Sequence, residues 1–147
     1  MKKTIVTLIA LTMLTVSSVF AAGSNDINKN ALTTFSTSFA KATNVKWEKN
    51  ETYYKASFEM NGQSLNALLS ETGDIIAVSR NILSTDLPLS LQYSLNKNFS
   101  SFWISELTEF ALGGETVYYI VIENADTKTT LKSVDTSDWS EVKKIAK

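Results

Sequence analysis

The 147-residue chain has no cysteine, no histidine, one proline, five glycines and a single arginine, Arg80. Each scarcity excludes something. Without histidine or cysteine there is no Ser-His-Asp or Cys-His nucleophile, no His- or Cys-ligated zinc, no haem and no iron–sulfur centre. The few glycines form no phosphate loop, because "ALGGET" lacks the required spacing and the Lys-Ser/Thr pair. A lone arginine and no concentrated basic stretch speak against nucleic-acid binding, which needs a positive surface rich in guanidinium forks. No disulfide can form, so stability must come from apolar burial.

Long hydrophobic runs are also missing. The longest mostly apolar stretch is Thr4 to Val16, about 13 residues, whereas a membrane span needs roughly 20. Lys2 and Lys3 precede it and the small residues of "SVFAA" follow it, which is the pattern of a cleaved signal peptide over residues 1–21, cut after Ala21. The expectation is a bacterial protein that is periplasmic or secreted, with no membrane anchor after cleavage. Cleavage would leave 126 residues with 12 basic and 15 acidic groups, moving the net charge from −1 to −3. That length suits one compact domain.

What is present is periodic. Residues 22–28 are polar and small, a flexible lead-in. Leu32, Phe35, Phe39 and Ala42 then lie at helical spacing, predicting a first helix over about residues 29–42. The period changes to two: Val45 and Trp47, then Tyr54, Ala56, Phe58 and Met60, then Leu65, Ala67 and Leu69 alternate with polar neighbours. Asn61-Gly62 is a strong hairpin signal and "ETGD" a second turn, so four antiparallel strands are predicted up to residue 83. A second helix, with Pro88 in its first turn and Leu87, Leu91 and Leu95 as its stripe, opens residues 84–147. Strand-like runs follow it. The last of these fits either a strand or a helix, since Trp139, Val142 and Ile145 match a helical stripe.

"ETYYKASFE" (residues 51–59) and "ETVYYIVIE" (115–123) resemble each other. At an offset of 56, Phe35 falls on Leu91 and Trp47 on Trp103; at 64, Glu59 falls on Glu123 and Asp74 on Asp138. The predicted fold is therefore α+β: a tandem repeat of helix plus four-stranded antiparallel meander, residues 29–83 and 84–147, with the helices on one face of a shared antiparallel sheet.

The segments Ala42, Val45, Lys46 and Trp47 ("A-x-x-V-K-W"), Tyr54, Ala56, Phe58, Asn61 and Gly62 ("Y-x-A-x-F-x-x-N-G"), Thr72 to Asp74 and Asp86 to Pro88 resemble the PepSY-like, beta-lactamase-inhibitor-protein-like (BLIP-like) family of small exported proteins of Bacteroidetes. The resemblance spans residues 29 to about 145. It departs at Phe39 to Ala42, "FAKA", where the family often carries "F-P-x-A". It implies two repeats of a helix plus four strands, with the helices on one face of an antiparallel sheet, and inhibition of hydrolases through the open face, but transfers no inhibitory residue set.

Carboxylate pairs are the remaining route to catalysis. Glu106 with Glu109, or Asp135, Asp138 and Glu141, read better as solvated strand ends and as turn residues bonding their own backbone. The last three also lack the spacing and glycine of an EF-hand calcium loop. The chain is thus expected to be no enzyme, with no catalytic residue, no metal and no cofactor.

One contrast points to binding. Lys55, Ser57 and Glu59 make the outer face of the first Tyr-Tyr strand polar, but Val117, Tyr119 and Val121 make that of the second apolar. With Tyr53 and Leu68 they are predicted to form an exposed patch for a protein or peptide partner. The competing reading covers that strand with the hairpin around Phe110 to Gly114. The expected function is an exported, non-enzymatic binding protein acting through its open sheet face, with inhibition of a hydrolase within that class. A small-ligand carrier or sensor of the cell envelope is the alternative.

Overall fold

The structure is a computed structural model describing residues 21–23 and 26–147. The predicted signal peptide lies outside the described residues except for Ala21. The elements in chain order are β1 (Ala21–Ala22), α1 (Lys29–Ser38), β2 (Thr43–Lys49), β3 (Tyr53–Met60), β4 (Gln63–Ser70), β5 (Ile75–Asn81), α2 (Leu89–Asn98), β6 (Trp103–Leu112), β7 (Glu115–Glu123), β8 (Thr127–Ser133) and β9 (Ser140–Ala146).

The tandem repeat of helix plus four-stranded meander is corrected. The strands form one antiparallel sheet whose order is the chain order, β1 to β9, accompanied by two α-helices among the described residues. β5, expected to close a first meander, is instead a ladder partner of β6 through Val78↔Ala111 to Asn81↔Thr108. Alternation of side chains tells which residues share a face, but not where one meander would end. The chain divides into two compact units after Ile76, inside β5.

In the first unit, Asn28 caps α1 by accepting a hydrogen bond from the Asn30 amide (2.8 Å). The helix is shorter than the predicted 29–42, stopping at Ser38. The Ser36 and Thr37 hydroxyls both donate to the Thr33 carbonyl, a bonding mode that weakens a final turn. Phe39 leaves the helix and packs on Phe35 and Phe58, with ring centroids 5.2 and 4.9 Å away. Ala31, Phe35, Tyr54, Ala56, Phe58, Ala67 and Leu69 form the buried core. Ile27 belongs to it as well, although the sequence placed it in a flexible lead-in. Val45, predicted to face the helix, is instead exposed, because a bulge between Thr43 and Lys46 inserts one residue into β2 and turns it out. Asn61 and Gly62 both adopt positive φ (53° and 76°) and close the β3–β4 hairpin as predicted from their identities.

In the second unit, α2 follows Pro88, whose carbonyl receives the Leu91 and Gln92 amides. Leu87, Leu91 and Leu95 bury against Leu107, Tyr118, Ile120, Ile122 and Leu131, with Trp139 packed alongside. The Trp139 indole donates to the Leu91 carbonyl (3.2 Å) and the Ser94 hydroxyl to Asp138 (2.6 Å). These bonds tie the segment before β9 to the helix. The ambiguous last run is a strand: β9 pairs with β8 from Thr127↔Ala146 to Lys132↔Ser140.

Candidate functional site

The register of the second unit defines its sheet face away from α2. Tyr118, Ile120 and Ile122 point into the helix core, so Val117, Tyr119, Val121 and Glu123 point the other way. Their ladder partners join them: Trp103, Glu106, Thr108 and Phe110 from β6, and Lys128, Thr130 and Lys132 from β8.

The expected exposed patch is corrected. Val117, Tyr119 and Val121 do lie together on alternate positions of β7, but all three are buried, Tyr119 to 1% exposure. β7 is paired on both sides, and the Phe110 ring packs edge-on against Tyr119 at 5.5 Å between centroids. The Lys132 ammonium lies 5.6 Å from the same ring centroid. Tyr53 and Leu68 belong to the first unit, on one face of β3 and β4, and both are buried there.

Tyr119 has one further property. Its hydroxyl is buried and has no hydrogen-bond partner. Burial pushes the phenol up to about 12, so it stays a neutral donor across the physiological range. An unmet buried hydroxyl of this kind costs about 1–3 kcal/mol.

At one end of the same face lies an accessible cluster that sequence reasoning missed. Trp103 is 53% exposed and directly opposite Glu123 in the β6–β7 ladder. The Lys147 ammonium sits 2.7 Å from Glu123 Oε2, 3.0 Å from the Asn124 carbonyl and 4.7 Å from the Trp103 ring centroid. Lys128 approaches the other carboxylate oxygen at 3.4 Å. Hydrogen bonding from Lys147, with help from Ser105 and the two lysine charges, lowers the Glu123 carboxyl to about 2. Only the ladder register brings together residues 103, 123 and 147, and no local motif announces it.

The carboxylate pairs do not assemble. Glu106 lies opposite Val121 and Glu109 opposite Tyr118, so they point from opposite faces of the sheet. Glu109 binds Arg80 at 2.6 Å and accepts from the Tyr118 hydroxyl at 3.3 Å, an internal network under α2's side of the sheet. Burial raises that phenol too, with the Glu109 charge adding to the effect. Asp135 and Asp138 are lowered by hydrogen bonds, from Ser137 to the first and from Ser94 and the Trp139 amide to the second. Both therefore act as local turn and loop anchors. Among the described residues, no three acidic side chains gather to hold a metal, and no helix is long and apolar enough to cross a membrane.

The chain matches no family model and none of the curated proteins compared. Solved structures do resemble it. A DUF2874 family protein from Bacteroides ovatus superposes with TM-score 0.71 at 19% identity, covering 82% of this chain and 87% of that one. A candidate periplasmic protein from Bacteroides eggerthii gives 0.72 at 12% identity, covering 82% and 88%. A BLIP-like protein from Bacteroides fragilis gives 0.68 at 13% identity, covering 82% and 86%. The fold of this chain is therefore BLIP-like, which is the part of the sequence resemblance these structures support; the two helix-plus-four-strand repeats it implied are replaced by the single sheet, and identities this low carry the fold alone.

Proposed function

We propose that this chain is an exported, non-enzymatic binding protein that recognises a protein or peptide at the Trp103 end of the second unit's sheet face. The observation that carries this reading is the half-exposed Trp103 ring, with Glu123 directly opposite it and the Lys147 ammonium 4.7 Å from its centroid. Tryptophan is the residue most enriched at binding hot spots, and a charged rim supplies orientation. Val117, Tyr119 and Val121 then serve as the rigid floor behind the site. The BLIP-like fold supports the same class, and hydrolase inhibition falls within it. The test is capture of partners from envelope extract by the wild-type chain and by Trp103→Ala, with circular dichroism confirming that both are folded. At least a tenfold loss of a specific partner with Trp103→Ala is expected; equal recovery by both forms overturns the proposal.

A small-ligand carrier is favoured by one observation, the unpartnered Tyr119 hydroxyl on an apolar face. A bound molecule carrying an acceptor would relieve it. Native mass spectrometry of protein purified from its own envelope checks this reading: a retained small molecule lost in Tyr119→Phe supports it, and a mass equal to the bare chain in wild type counts against it.

A further inference from the structure

We infer that the Trp103 end of this face is a recognition site for a lysine side chain of a partner polypeptide, occupied in this chain by its own Lys147. The inference rests on the binding reading above and supplies its chemistry. Three different groups converge on one ammonium: the Glu123 carboxylate at 2.7 Å, the Asn124 carbonyl at 3.0 Å and the Trp103 ring at 4.7 Å from its centroid. A carboxylate compensates charge, a carbonyl takes a second N–H, and an indole face attracts the cation through its quadrupole. Together they are a complete receptor for a primary ammonium.

The receptor is built on strands. Trp103 and Glu123 are directly opposed across β6 and β7, and Asn124 follows in the turn, fixed by bonds from its side chain to the Asp126 and Thr127 amides. Hydrogen bonds from Lys147 and Ser105 lower the Glu123 carboxyl, so an ammonium in this position finds an ionised partner. Its present occupant is reachable from solvent. The Lys147 side chain is 36% exposed, and apart from Lys147 itself only Lys128 shares the carboxylate among the ion pairs of the described residues. The Glu123 side chain is 15% exposed, so the pair is open to solvent on its lysine side. A partner's lysine presented on an extended strand would place the same ammonium over Trp103 while its backbone runs along the accessible rim.

The experiment titrates the full chain with a short acetylated, amidated Gly-Lys-Gly peptide while following the Trp103 indole N–H by NMR, assigned with Trp103→Phe. In Lys147→Met, which keeps the aliphatic stem and removes the charge, the peptide is expected to give a saturable Trp103 shift at least tenfold below the concentration that wild type needs. Glu123→Gln placed on top should abolish the shift, and a Gly-norleucine-Gly peptide should give none. Unchanged Trp47 and Trp139 indole signals certify the fold of each variant. No saturable shift in Lys147→Met, or an equal shift from norleucine, overturns the inference. Butylamine binding as tightly as the peptide overturns the assignment to a partner polypeptide. If Trp103→Ala abolishes partner capture but the lysine peptide does not compete with that partner, the ammonium inference falls and the binding reading stands. If Trp103→Ala captures normally, the binding reading falls whatever the peptide does.

Discussion

The two central Tyr-Tyr strands differ in how their sheet faces are built, one mixed and one apolar. On β3 and β4 the face away from α1 sets polar pairs beside the buried Tyr53 and Leu68: Lys55 meets Glu48 at 3.1 Å, the Ser57 hydroxyl donates to Asn66 at 2.8 Å, and Asn44 donates to Glu59 at 3.0 Å. On β7 the corresponding stretch is Val117, Tyr119 and Val121, buried, with one hydroxyl left without a partner. The polar pairs on β3 satisfy one another. An apolar face with an unmet donor is stabilised by area and carries a local deficit, which is the kind of deficit a binding protein can use.

Truncation should separate the two faces most strongly. Tyr119→Ala removes a fully buried ring that also supports Phe110, and is expected to cost about 3–5 kcal/mol, as for large aromatic-to-alanine changes in cores. Ser57→Ala, on the mixed face, removes one partly buried hydrogen bond and should cost about 1 kcal/mol. Chemical denaturation of both variants measures the difference, and equal losses would erase the contrast.

Turns offer a second comparison. Gly73 has φ 94°, and a Cβ there would meet the backbone carbon of Asn30 at 2.8 Å. Gly114 has φ 92° with nothing within 4 Å. Both glycines are needed for conformation, but only Gly73 for space. Gly73→Ala is expected to destabilise by about 2–4 kcal/mol and Gly114→Ala by about 1–2 kcal/mol. Thermal melts that place Gly114→Ala at or below Gly73→Ala would show the β4–β5 turn to be the softer of the two.

How much of this was legible beforehand depends on the range of the interaction. The Asn61-Gly62 hairpin, the Leu87, Leu91 and Leu95 stripe and the Trp47 and Phe58 core positions are local patterns and appear where alternation and spacing put them. Val45 was misjudged because a bulge changes the parity of β2, and a bulge leaves no mark in composition. The division into two meanders failed at β5 because strand alternation is blind to which neighbour a strand pairs with. The β7 patch was correctly read as apolar and co-facial; exposure is set by what packs nearby, which one strand's sequence does not contain. Trp103 and Glu123 are brought together by the β6–β7 ladder, and Lys147 joins them as the residue after β9, so none predicts the others.

Acid should act on the second unit through its carboxylates. Glu123 is lowered from 4.5 to about 2, so the folded state holds its proton less tightly than the unfolded chain. That stability is fully present above about pH 4.5 and is lost as pH falls toward 2, the sign expected for a depressed carboxyl. Asp138, lowered chiefly by the Ser94 hydroxyl, works in the same direction. Glu123→Gln should therefore flatten the acid limb of stability against pH, with the Trp103 indole reporting release of Lys147. An unchanged acid limb would mean that the ion pair is too well solvated to matter.

The smallest effect tests the deficit itself. Tyr119→Phe keeps the ring, its contact with Phe110 and the Lys132 ammonium above it, and removes only the oxygen. For a hydrogen-bonded buried tyrosine the change costs about 1 kcal/mol or more, because a partner is stranded. Here no partner is stranded, so the expected result runs the other way: neutral, or more stable by up to about 1 kcal/mol. The same protein should show a tyrosine titrating near pH 12 that disappears in the variant. A loss of 1 kcal/mol or more would show that the hydroxyl has found an acceptor in solution, making it as satisfied as the polar pairs of β3 and removing the physical basis for a small-ligand role.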